Sequence, residues 1–239
     1  MTKDIVRRIT CILALGVAVC ADVSGQFVRT AGRAVIMRTP AGATVSGVFV
    51  EAPQRPAPAV VLVPMLGGSK EDWDPVVERL VGAGMSALAV DLPSAAVPAA
   101  AEIGAWRSVV EAAVDYLSVR PDVQGSAIGV AGASFGATLA ALSASADGRI
   151  RALALVSPAA DYRGIGIEAA MKAYGSRPAL LVAARGDPYA ARTVRGLAAE
   201  PAGAREVLWS DEPAHGTLLF ARQPDLAGAL ADWFQRTLR

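Results

Sequence analysis

Apolar residues fall into two rhythms along this chain. The runs Ala59-Val-Val-Leu-Val63, Ser126-Ala-Ile-Gly-Val-Ala131, Ile150-Arg-Ala-Leu-Ala-Leu-Val156 and Ala179-Leu-Leu-Val-Ala183 are almost continuous. Such runs are expected of strands buried on both faces of a parallel sheet. Between them the spacing changes to that of amphipathic helices. Glu71 to Ala83 places Val76, Val77, Leu80 and Val81 on one face, and Ile103 to Val119 does so with Trp106, Val109, Val110, Val114 and Leu117. Ala34–Arg38 and Val45–Val50 flank the turn Thr39-Pro-Ala-Gly-Ala43 and predict an antiparallel hairpin.

The remaining elements keep the alternation. Met85–Val90 and Ala204–Trp209 predict strands, and Tyr189–Ala199 and Leu226–Leu238 predict helices. Leu92–Glu102 is a Pro/Ala loop, and Ser157–Pro178 is a connection with one short helix, Ile167–Ala173. Strands alternating with helices imply an α/β fold, a mostly parallel sheet covered on both faces. Sites in such sheets lie beyond the carboxyl ends of the strands.

Length and composition narrow this further. A chain of 239 residues, 53 % hydrophobic, suits one globular domain. The net charge of +1 and the lack of a basic tract argue against a nucleic-acid partner. The first 21 residues read as a secretory signal peptide. Basic Lys3, Arg7 and Arg8 precede the apolar run Ile9–Ala21, and Val19-Cys-Ala21 resembles a cleavage site. That run is short for a spanning helix, so the mature chain, 22–239, is expected to be exported without a membrane span. Both cysteines, Cys11 and Cys20, lie in the leader, which leaves no disulfide or thiolate chemistry afterwards. Cys20 is an alternative lipidation point.

Candidate chemistry centres on Gly129-Val-Ala-Gly-Ala-Ser134-Phe-Gly-Ala-Thr138. It contains Gly-x-Ser-x-Gly between a predicted strand and a predicted helix, the setting in which a serine is pushed out on a sharp turn. A serine hydroxyl needs a base, and the base needs an orienting group. His215 is the only histidine of the chain. Asp187, just past the strand ending at Ala183, and Asp211, four residues before His215, are the candidate acids. Asp187 is favoured because it approaches from a separate strand end, although an Asp-Pro pair is also a common helix start. An oxyanion would take one donor from the backbone N–H of Phe135 and a second from Met65 or Leu66 in the glycine-rich loop after Val63. One histidine and no carboxylate cluster with ligand spacing argue against a catalytic metal, and no phosphate-cradling loop or other cofactor motif is present.

With the elbow Gly132-Ala-Ser-Phe-Gly136, the acid in Gly186-Asp187-Pro-Tyr189 and the base in His215-Gly216, the chain resembles the α/β-hydrolase family over nearly all of 22–239. Met65-Leu-Gly-Gly-Ser-Lys-Glu-Asp-Trp73 is similar to the oxyanion loop of bacterial dienelactone-hydrolase-like members. The resemblance implies an eight-stranded, mostly parallel sheet and a serine hydrolase acting on a small-molecule carboxylic ester. It departs from the family at Pro64 and Met65, where a His-Gly pair is common, and at Leu92–Val97, where Arg-Gly-His-Gly is common. The short region Ala159–Arg177 implies an open site, with Met65, Leu66, Phe135 and Tyr162 as an acyl pocket or as ordinary core. A binding protein on the same scaffold, or a thioesterase, peptidase or acyltransferase with the same residues, are the alternatives.

Overall fold

The computed structural model describes residues 32–94, 96, 98–200 and 203–239. The leader expected at residues 1–21, with Cys11 and Cys20, lies outside the described residues. The strands are β1 (Arg33–Arg38), β2 (Thr44–Val50), β3 (Ala57–Val63), β4 (Ser86–Val90), β5 (Val123–Ala133), β6 (Ile150–Val156), β7 (Asp161–Tyr162), β8 (Ile165–Gly166), β9 (Ala179–Ala184) and β10 (Arg205–Ser210). The helices are α1 (Asp74–Gly82), α2 (Ile103–Ser118), α3 (Phe135–Ala146), α4 (Ile167–Tyr174), α5 (Pro188–Ala199), α6 (Leu218–Arg222) and α7 (Pro224–Thr237).

Eight strands form one sheet in the order β1-β2-β4-β3-β5-β6-β9-β10. The β1–β2 and β2–β4 pairs are antiparallel, and every other pair is parallel. This is the expected architecture, hairpin included. The two-residue strands β7 and β8 form a separate small hairpin.

Alternating side chains give the sheet two unlike faces. On one, Val61, Val63, Ile128, Val130, Leu153 and Leu155 meet α2, α3, α4 and α5. These large strand residues face an alanine-rich α3, with Ala137, Ala140, Ala141 and Ala144 all inaccessible to water. On the other face the residues of β5 and β6 are mostly small. Ala127, Ala131, Ala133, Ala152 and Ala154 meet the aromatic residues of α6 and α7. A Cβ on Gly129 would lie 2.6 Å from the Phe234 ring, so this glycine lets the ring rest on the sheet. Each fully buried aromatic of this layer contributes roughly 2–3 kcal/mol of apolar burial.

Helix ends carry their own partners. The carbonyls at the end of α3 and just beyond are met by Arg177, which donates to Ala144, Asp147 and Ile150. That end lies opposite Ser134, so Arg177 fixes where the helix sits along its axis.

Several elements differ from the sequence pattern. The helix expected over Glu71–Ala83 is a 3₁₀ turn, Lys70–Trp73, followed by α1. Pro75 lies in the first turn of α1, where its missing N–H costs nothing. Residues 218–222, where the sequence pattern predicts no element, form the five-residue α6, and the closing helix begins at Pro224 rather than Leu226. β5 begins at Val123 and runs to Ala133, longer than the apolar stretch alone indicates.

Candidate active site

The Gly-x-Ser-x-Gly stretch forms a tight strand-to-helix turn. Ser134 has φ 52° and ψ −114° and precedes the first residue of α3. That left-handed backbone is strained for a serine, and the surrounding contacts enforce it. Its N–H donates to the Val156 carbonyl at 2.8 Å, and its own carbonyl accepts from Ala137 N at 3.0 Å. A Cβ on Gly132 would collide with the Gly136 carbonyl and come within 2.7 Å of Ala137 N. A Cβ on Gly136 would strike the Pro64 carbonyl and lie 2.5 Å from that of Val63. The two glycines therefore do different jobs. Gly132 lets the helix fold back on its own strand, and Gly136 lets the helix start press on the loop after β3.

Ser134, His215 and Asp187 come together at three strand ends. Ser134 Oγ lies 2.8 Å from His215 Nε2, and His215 Nδ1 lies 2.5 Å from Asp187 Oδ2. With the ionised carboxylate accepting from Nδ1–H, the neutral ring presents Nε2 as acceptor to the serine hydroxyl. Asp187 also caps α5, its Oδ1 accepting from Ala190 N at 3.1 Å. Helix cap and imidazole partner are thus roles of two oxygens of one side chain. The carboxylate is 13 % exposed and the imidazole 49 %, so the carboxylate is shielded while the ring faces water. Asp211 points away into solvent, 91 % exposed, and pairs with Arg185 at 3.0 Å.

The loop after β3 bends sharply. Gly68 N donates to the Met65 carbonyl at 3.0 Å, and Gly67 takes φ 77°. Consecutive residues of this loop face opposite layers, Met65 toward α6 and α7 and Leu66 toward α2 and α3. The four residues grouped as an acyl pocket are accordingly split. Phe135 is 2 % exposed, with ring centroids 5.7 Å from Trp106 and 4.5 Å from Tyr162. Its side chain is core, and only its backbone reaches the elbow. As the first residue of α3, its N–H has no acceptor within the helix.

Contacts that the sequence pattern did not signal hold the His215 loop. Gly216 N donates to the buried Ser157 Oγ at 3.0 Å. Gly216 has φ 60°, and a Cβ there would lie 2.8 Å from Met65 Sδ. Trp73 and Phe220 pack at 5.5 Å between centroids, tying the turn after the β3 loop to α6.

Two strands from the elbow, Asp91 directly follows β4 beside a hollow of about 420 Å³ lined in part by Thr44, Ser46 and Ser94. Asp91 accepts from Lys70 Nζ at 2.7 Å, from Lys70 N at 3.1 Å and from Ser46 Oγ at 2.5 Å. Burial alone would raise this carboxyl, but the hydrogen bonds from Lys70 and Ser46 outweigh it and hold it below the ordinary value of 3.8. Hydrogen bonding to Asp91 and Glu71 raises the Lys70 ammonium above 10.5. Among the described residues no group of three or more His, Cys, Asp or Glu side chains could hold a metal ion. Nor is any described helix long and apolar enough to cross a membrane.

The sheet order, the covering helices and the serine on its strand-to-helix turn are those of an α/β hydrolase. Residues 45–202 match the dienelactone hydrolase family, and the chain belongs to that family. Among solved structures, the dienelactone hydrolase from Anabaena variabilis is similar at TM-score 0.74 and 20 % identity, covering 88 % of this chain and 100 % of that one. An esterase of Pyrococcus furiosus is similar at TM-score 0.73 and 16 % identity, covering 88 % and 92 %. DcsB, solved in complex with its substrate analogue, is similar at TM-score 0.75 and 15 % identity, covering 87 % and 99 %. No curated protein matches the sequence. The chain is thus a hydrolase of the α/β fold.

Proposed function

We propose that the protein is a serine hydrolase that cleaves small carboxylic esters through an acyl-enzyme. The observation that carries this reading is the unbroken line Ser134 Oγ–His215 Nε2–His215 Nδ1–Asp187 Oδ2, with spacings of 2.8 and 2.5 Å. In the first half-reaction Ser134 Oγ attacks the ester carbonyl while His215 Nε2 takes the hydroxyl proton. Asp187 steadies the imidazolium and returns no proton itself. The Phe135 N–H and one from Met65 or Leu66 receive the oxyanion, aided by the positive end of α3. The alcohol departs with the proton from His215. A water molecule, deprotonated by the same ring, then releases the acid and restores the serine.

The exposed imidazole and the short β6–β9 connection, residues 157–178, support access for a small-molecule substrate from water. The basic-then-apolar start of the chain supports export as the setting. Recovery of the protein from the cytoplasm with Met1 intact would overturn that part.

Labelling with a fluorophosphonate probe tests the chemistry. Wild type is expected to label, and Ser134→Ala and His215→Ala to lose labelling, with Asp187→Ala slowed by about 10³- to 10⁴-fold. A folded wild type that never labels would indicate a binding protein on a hydrolase scaffold. Turnover of thioesters or peptides in preference to oxygen esters would move the reading to another acyl transfer.

A further inference from the structure

We propose that Ser157 is a positioning residue for the imidazole, acting through the Gly216 backbone; the inference rests on the reading of His215 as the base. Ser157 directly follows β6 and is 1 % exposed. It is one of three non-glycine residues with positive φ among the described residues, at 48°, and the nucleophile candidate Ser134 is another. A non-glycine residue held there signals that its surroundings over-determine the backbone.

Those surroundings connect the three strand ends. The Val156 carbonyl accepts from Ser134 N at 2.8 Å. Ser157 N donates to the Val182 carbonyl at 2.7 Å, in β9, the strand that leads to Asp187. Ser157 Oγ accepts from Gly216 N, the amide that follows His215, at 3.0 Å. Two adjacent residues therefore tie the elbow, the acid-bearing strand and the base-bearing loop to one point.

The first two ties are backbone bonds that any residue could make. The third needs a side-chain acceptor of this length at this place. Glycine would accept the backbone conformation but offers no acceptor, and alanine would keep the conformational cost and also offer none. The loop it anchors carries a ring that is half in water and must keep both nitrogens within hydrogen-bond reach of groups on other strands. Displacement of a reacting group by about 1 Å costs about 10²-fold in rate.

Because His215 is the only histidine, its ring can be observed without assignment. The test records the imidazole Nδ1–H proton resonance and the fluorophosphonate labelling rate for wild type, Ser157→Gly, Ser157→Ala and Ser157→Cys. Wild type is expected to show a downfield, exchange-protected Nδ1–H. Ser157→Gly and Ser157→Ala are expected to lose that protection and label about 10- to 100-fold more slowly. Ser157→Gly is expected to melt no lower than Ser157→Ala, since glycine relieves the positive φ. Ser157→Cys, which keeps a weak acceptor of similar shape, is expected to fall between. On any ester that is turned over, kcat falls and KM holds.

An unchanged resonance with unchanged labelling in Ser157→Gly and Ser157→Ala would overturn the proposal. So would a loss of rate that follows melting temperature and spares the resonance. A wild type that shows the protected resonance but never labels would overturn the hydrolase reading. The resonance arm would then still decide the role of Ser157.

Discussion

Ser134 and His215 stand within one hydrogen bond of each other, yet the chain holds them by different means. Ser134 is locked by its immediate neighbours. Gly132 and Gly136 allow strand, helix and the β3 loop to interpenetrate so closely that the serine has one place to be. His215 rides on a surface loop fastened from a distance by the Ser157 hydroxyl, by Met65 against Gly216, and by Trp73 against Phe220. A hydroxyl set by local sterics is stiff, whereas a ring held by long-range contacts can be loosened one contact at a time.

The sharpest way to break this contrast is at the elbow. Gly136→Ala drives a methyl group into the backbone carbonyls of Val63, at the end of β3, and Pro64, just beyond it. It is expected to prevent folding or to remove several kcal/mol of stability, read as loss of soluble protein or of a cooperative melt. A normally folded and labelled Gly136→Ala would show that the elbow is looser than described.

A smaller effect is expected at Gly216. Gly216→Ala meets two obstacles, φ 60° and Met65 Sδ. The first costs about 1–2 kcal/mol, and the second can be removed by a further substitution. Gly216→Ala should slow labelling by about 10²-fold with the fold intact, and adding Met65→Ala should recover part of the rate. A double variant no faster than the single one would assign the whole effect to backbone strain.

The smallest effect belongs to the Lys70–Asp91 pair, away from both residues. Asp91 has a folded value below its ordinary 3.8. Its contribution is therefore present above pH 4 and is lost as pH falls through the folded value. Lys70 has the opposite sign, with its contribution present below 10.5 and lost as pH rises through its raised folded value. Asp91→Asn is expected to cost about 1–2 kcal/mol near neutral pH, shrinking toward zero in acid, with little change in labelling. Denaturant melts at pH 7 and pH 3 measure this. An equal cost at both values would refute the charge-based account.

The same contrast separates what can be read in the sequence from what cannot. The elbow is legible because its demands fall within five consecutive residues. Asp187 is nearly as legible, since a strand end followed by Gly-Asp-Pro announces a polar turn at the right edge of the sheet. Ser157 carries no such mark. Its partner is 59 residues away, and a serine after a strand is otherwise unremarkable. Helix α6 escaped because five residues are too few for a helical period to stand out from a loop. The side chain of Phe135 misleads for a related reason. Adjacency to Ser134 in sequence suggests a place in the pocket, but the first turn of α3 points it into the core. Met65 and Leu66 likewise part company because the chain turns between them, the Met65 carbonyl accepting from Gly68 N.

The connection from β6 to β9 has a kinetic meaning. It is 22 residues long, holds only β7, β8 and α4 as regular structure, and leaves half of the imidazole in solvent. Enzymes that fold a lid over the reacting groups often spend their turnover waiting for it to reopen. On the proposed reading, the half-exposed ring can be reached without such a movement. Encounter, reaction and departure would then follow one another without a gating step, and a more viscous medium would slow the first and last alone. An unlidded mouth also surrenders a filter. Discrimination among ligands would fall to the fixed surroundings of the ring rather than to any act of closure, which favours breadth of choice over strictness.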